Sequence, residues 1–114
     1  MDVDRIKKLF VEGSTEKIQM IKVKLEELKR KKHDEMDGQI MDIYILAHGI
    51  NSSSVFLPIK TISIFSKAIE KKVKEWLEDN FVLNSQTIDE LAEDVDKLKI
   101  MIDNLDEYIG EDLL

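Results

Sequence analysis

Apolar residues return at steps of three and four along almost the whole chain and divide it into four amphipathic segments. In the first, Val3, Ile6, Phe10, Ser14, Ile18, Ile21, Leu25 and Leu28 share one face and predict a helix from about Val3 to Lys31. Gly13 and Ser14 weaken its middle, as a kink or a close helix contact would. In the second, Met36, Ile40, Ile43, Ala47, Ile50 and Ser54 predict a helix from about Asp34 to Phe56. Pro58 lacks a backbone N–H and disfavours helical geometry at Leu57, so the helix should stop there. The third segment carries Ile59, Ile62, Phe65, Ile69, Val73 and Trp76, a helix from just after Pro58 to about Asp79. The fourth carries Ile88, Leu91, Val95, Leu98, Ile102, Leu105 and Ile109 and starts near Asn84 or Ser85. Either residue can cap the open N–H groups of a first turn, and Asp89 and Glu90 suit the positive end of the helix dipole. The last five residues, GEDLL, read as a frayed end.

Four such helices with short connections bury their stripes most simply in an all-α, antiparallel up-down four-helix bundle. The chain has 114 residues, four of them Gly and one Pro. That length fits a single domain, 1–114, and so few turn formers favour helix throughout. Hydrophobic residues at 43% are enough for one modest core. Phe10, Ile18, Ile21, Ile43, Ala47, Ile50, Ile62, Ile69, Val73, Val95, Leu98 and Ile102 are expected to form it. Architecture of this kind specifies no function by itself.

Charge narrows the partners. The formal net charge is −7, and the run Lys29–His33 is followed at once by Asp34 and Glu35. An acidic chain is repelled by phosphate backbones and anionic lipid, so neither nucleic acid nor membrane is expected as a partner. There is no cysteine, hence no disulfide framework or thiolate metal site. No apolar run approaches the roughly 18 residues of a spanning helix, and the opening MDVDRIKKLF lacks the apolar stretch of a signal peptide. A cytoplasmic location is the expectation. No glycine-rich phosphate loop and no compact acidic cluster is visible, so neither ATP nor a metal is expected on this chain.

Two histidines remain. His33 lies in the charged junction KRKKHDEMD and reads as a solvated linker residue. His48 is different. At about 100° per residue it points well off the arc of Ile43, Ala47, Ile50 and Ser54, on the flank of the second helix, where its imidazole should reach solvent. Gly49, Ser52, Ser53 and Ser54 follow it. These mediocre helix formers leave an exposed imidazole accessible to another protein's surface. The pattern alone also fits a surface histidine beside an indifferent serine run.

The stretch ILAHGINSSSVFLPIKTISIFSKAIE resembles the phosphorylation helix and following helix of histidine phosphotransfer (HPt) domains, most of all the N-terminal phosphotransfer domain of the chemotaxis histidine kinase CheA. The family motif reads Ala-His-x-Ile/Leu-Lys-Gly-Ser, then a helix-ending Gly, then an acidic residue in the next helix. Ala47, His48, Ile50 and Ser53 match it, and Glu70 falls at the acid. LFVEGSTEKIQMIKVKLEEL is similar to the family's first helix and LNSQTIDELAEDVDKLKIMIDNL to its fourth, so the resemblance covers almost the whole chain. Asn51 stands where the family has lysine, Ser52 where it has glycine, Pro58 at the helix-ending glycine, and Lys67 where a second histidine is frequent.

The resemblance implies that His48 accepts a phosphoryl group and that Glu70, by taking the Nδ1 proton in a hydrogen bond, orients the ring and leaves Nε2 as the nucleophile. An ordinary imidazole, with a pKa of about 6.5, is largely neutral in the cytosol and suited to that work. Lys67, Asn51 and Ser52 would be contacts for the phosphoryl group or the partner. Glu70, Ser63, Lys67 and Lys74 share a flank of the third helix by spacing, so pairs of Glu70 with Lys74 or Lys71 are the ordinary alternative. The implied partners are a histidine kinase catalytic domain carrying ATP and a response-regulator receiver domain carrying Mg²⁺, in a two-component or chemotaxis phosphorelay. The competing reading, supported by Asn51 and Ser52, is a bundle of the same shape that docks partners and carries no phosphate. A metal-dependent or hydrolytic enzyme is disfavoured by two histidines and no cysteine.

Overall fold

Leu28 is the last residue of the first apolar stripe, and the first helix ends on it: α1 spans Val3–Leu28. Beyond it come only cations, and the chain leaves the helix through tight turns in which Arg30 N–H donates to the Glu27 carbonyl and Lys31 N–H to that of Leu28. The expected extension to Lys31 has no apolar side chain left to bury. A short 3₁₀ turn, His33–Glu35, leads into α2, Met36–Ser54. α3 spans Lys60–Glu78 and α4 Ser85–Asp103. The computed structural model describes residues 3–57, 59–78 and 83–107, and no strand occurs among them. Pro58, Asp79, Ile109 and the GEDLL end lie outside the described residues, as do the side chains of Val3 and His33.

α2 stops two residues earlier than the apolar pattern suggests, and the serines supply a local reason. Ser53 Oγ donates to the Gly49 carbonyl at 2.9 Å and Ser54 Oγ to that of Asn51 at 2.6 Å. Hydroxyls bonding back onto their own helix compete with its backbone ladder. Phe56 and Leu57 then turn tightly, their N–H groups reaching the carbonyls of Ser53 and Ser54. At α4 the choice between two caps is resolved in favour of Asn84, whose Oδ1 accepts from the Thr87 N–H at 2.8 Å and from the Thr87 hydroxyl at 3.0 Å. Asp89 and Glu90 lie just past the first turn, and Asp89 pairs with Lys29 instead of serving the dipole.

The four helices pack as a closed ring, α1 on α2, α2 on α3, α3 on α4 and α4 on α1. At about 1.5 Å per residue the 26-residue α1 is about 39 Å long and runs most of the 46 Å long axis. The core is largely as the stripes require. All twelve expected core residues are buried, together with Leu25, Leu28, Ile40, Leu57, Ile59, Trp76, Ile88, Leu91 and Leu105. Phe65, Ile6 and Met36 are only partly buried, at the rim. Ser14, Ser54 and Ser66 are also in the interior, and no buried side-chain N or O among the described residues lacks a partner. Ser14 therefore marks a close contact inside one continuous α1.

Candidate functional site

His48 and Glu70 meet across the α2–α3 seam. Ala47 and Ile50 face the core, which turns His48 between them onto the flank toward α3. Ile69 is buried and holds Glu70 on the matching flank of α3. Nδ1 of His48 lies 2.7 Å from Glu70 Oε1. The imidazole side chain is 58% exposed and the carboxylate only 14%. The ring thus stands in solvent on a support that is largely withdrawn from it.

Glu70 is held by more than the histidine. Asn51 Nδ2 donates to Oε2 at 2.8 Å. Burial pushes the Glu70 carboxyl up, but hydrogen bonds from His48 and Asn51, the attraction of the imidazole and a bond from Tyr44 together hold it below the ordinary carboxylate range. An ionised carboxylate only accepts hydrogen bonds, so the Nδ1 facing it must carry the proton. In the neutral ring the lone pair then resides on Nε2, on the opposite side of the imidazole and away from α3. Tyr44, one turn before His48, lies alongside the ring with centroids 6.1 Å apart and planes 19° from parallel. Carboxylate and phenol together limit the rotation of the imidazole.

A comparison of the chain with family models, curated proteins and solved structures returned no match.

Of the residues singled out in the sequence, the structure brings together His48, Glu70 and Asn51. Ser52 is exposed one turn beyond His48, and Lys67 is exposed one turn before Glu70; neither bonds to the cluster. Lys74 turns to Glu78 at 3.8 Å, so the ordinary lysine pair does not claim Glu70. Asn51, the substitute for the expected lysine, emerges as a second donor that fixes the carboxylate. Sequence reasoning missed Tyr44; its signal is the four-residue spacing to His48 on one helix face. Among the described residues no group of three or more His, Cys, Asp or Glu could hold a metal ion. Among the described residues no helix is long and apolar enough to cross a membrane.

The surroundings of His48 on its own helix are neutral. From Ile43 to Leu57 there is no Asp, Glu, Lys or Arg. Met41, Ile45, Val55 and Phe56 are exposed on the same helix and its C-terminal turn, and Ile64 is exposed on α3. Chemically, the arrangement is a tautomer-fixed, solvent-facing nitrogen nucleophile with a carboxylate ready to balance positive charge on its ring.

Proposed function

We propose that the chain is a cytoplasmic histidine phosphotransfer module, an antiparallel up-down four-helix bundle in which His48 carries the phosphoryl group. The observation that carries this reading is the 2.7 Å contact of Nδ1 with a half-buried, ionised Glu70 beneath an exposed imidazole. The helix order is supported by the ion pairs at both ends of the ring: Lys29 near the end of α1 joins Asp89 near the start of α4, and Lys7 near the start of α1 joins Asp106 after the end of α4.

In the forward step the Nε2 lone pair forms the N–P bond as the bond between the γ-phosphorus and its bridging oxygen breaks, and that electron pair leaves with ADP on the kinase. The Nδ1 proton stays between the ring and Glu70, whose negative charge balances the substituted imidazolium. In the second step an aspartate oxygen of a receiver domain attacks phosphorus and the pair returns to Nε2. ATP and Mg²⁺ belong to those partners. The apolar rim of α2 suits contact with them.

The test is incubation with an HPt-competent kinase and labelled ATP. Wild type acquires an acid-labile label, and His48→Gln, whose amide can still donate to Glu70, acquires none while keeping its unfolding midpoint. Glu70→Gln loses a hydrogen bond to a charged group, about 1.5–3 kcal/mol, and is labelled ~10–100-fold more slowly. A second reading, a docking bundle without phosphate, is favoured by the replacement of the expected lysine and glycine with Asn51 and Ser52. It becomes the better one if wild type stays unlabelled with every competent kinase tried.

A further inference from the structure

The ring of His48 is held from α3, and the residue after it meets α1. Lys17 of α1 crosses over Gly49, the residue that follows His48. A Cβ built on Gly49 would lie 2.9 Å from Lys17 Cε, closer than real Cβ atoms approach, and 3.4 Å from Cδ. The lysine stem rests on bare backbone, in a place that exists because position 49 has no side chain. Its Nζ lies 3.8 Å from the corresponding point on Gly13 of α1. The stem therefore rests on Gly49 of α2 while the ammonium lies over Gly13 of its own helix.

Lys17 is also short of a counter-charge. The other half-buried lysines within helices, Lys7, Lys22, Lys24 and Lys99, each pair with an aspartate. Lys17 is half-buried and, among the described residues, pairs with no carboxylate. The chain has 24 acidic residues and a net charge of −7, yet none of the described carboxylates reaches this lysine.

We propose that Lys17 is the phosphoryl-binding cation of this site, supplied by α1 and seated by Gly49, and that it takes the place of a lysine on the His48 helix itself. The assignment rests on the reading of His48 as the phosphoryl acceptor. With Nδ1 turned to Glu70 on α3, Nε2 faces away from α3, and the residue next to His48, Gly49, is where the α1 lysine lies on α2. A flexible four-carbon stem lying on the adjacent residue can bring an ammonium to such oxygens. Lys67 lies on α3, the helix that Nδ1 faces, and is exposed.

The experiment uses phosphoramidate as a small-molecule donor, so that no kinase docking enters, and reads the rate of labelling and the lifetime of the phosphohistidine. Wild type, Lys17→Met, Lys17→Arg, Gly49→Ala and His48→Gln are compared, with unfolding midpoints measured in parallel. Lys17→Met keeps the stem across Gly49 and removes only the charge. It is expected to lower the labelling rate about tenfold or more, the lower end of a charge-assisted hydrogen bond. Lys17→Arg restores most of the rate. Gly49→Ala lowers the rate although Lys17 is intact, because the methyl displaces the stem, and it leaves the fold at least as stable. A Lys17→Met rate within twofold of wild type, with His48 labelled normally, overturns the role of Lys17 and leaves that of His48 standing. A wild type that takes no label, or a His48→Gln variant labelled like wild type, overturns both.

Discussion

Helices α2 and α4 have 19 residues each and both bury an apolar stripe, that of α2 taking in Gln39 and Ser54 as well, yet their outer faces differ in kind. On α4 the exposed positions are Ser85, Gln86, Asp89, Glu90, Glu93, Asp96, Lys97 and Asp103, with Ile100 the single large apolar one. Several of these acids reach other helices or their own: Asp89 to Lys29, Asp96 to Lys22, Asp103 to Lys99. On α2 the exposed positions after Asp42 are Ile45, His48 and Ser52, and the turn beyond adds Val55 and Phe56. One helix has a face made for water. The other has an uncharged face around one imidazole, and its charges are lent by neighbours, Glu70 from α3 and Lys17 from α1. A surface apolar patch contributes little to a monomer's stability, so its placement around an oriented histidine points to contact with another protein.

The inner faces should behave alike. Ile43→Ala in α2 and Leu98→Ala in α4 each remove a side chain that is at most 2% exposed. Each should lower the unfolding free energy in urea by about 2–5 kcal/mol. A loss well under that range at either site would mean that the helix packs on another face.

The helix starts should differ, by less. α4 has the Asn84 cap, whereas Glu35 at the start of α2 makes no side-chain cap bond. Asn84→Ala should cost ~1 kcal/mol, and Glu35→Ala should leave the urea midpoint where it was. Equal losses from the two would remove this contrast.

The outer face of α2 should matter least to stability. Ile45→Ser and Phe56→Ser, at residues 59% and 77% exposed, should change the unfolding free energy by no more than about 0.5 kcal/mol. The same changes should weaken binding of a competent kinase or receiver in a titration. A large stability loss from either would place the side chain in the core and cancel the comparison.

Most of the fold was legible because four unbroken stripes at helical spacing leave little choice of face. Helix ends were less so. The stop of α1 at Leu28 and the early end of α2 depend on local hydrogen bonds, such as those of Ser53 and Ser54, that compete with an otherwise good pattern. The His48–Glu70 pair came from the resemblance and the flank positions together. What stayed hidden needs three dimensions. Nothing in the spacing tells that Asn51 donates to Glu70 and not to solvent, or that Lys17, some thirty residues away in sequence, lies across Gly49. Lys67, attractive by its place in the motif, is turned to solvent.

The pH response of Glu70 is the finest test of the pairing. Its folded carboxyl titrates below the ordinary value, so its contribution to stability is present above that value and is lost as pH falls through the folded midpoint. In a carboxyl-carbon NMR titration Glu70 should have a midpoint below the ordinary carboxylate value, and His48→Ala should raise it. A Glu70 midpoint unmoved by His48→Ala would mean that the contact contributes nothing in solution.

The most direct test of the central claim is the ring position of the phosphoryl group. Phosphorus and proton-detected nitrogen NMR on the kinase-treated, ¹⁵N-labelled protein should show a single phosphohistidine, on Nε2 of His48, with Nδ1 still protonated toward Glu70. Phosphorus on Nδ1, or no phosphohistidine at all after treatment with a competent kinase, would contradict the account.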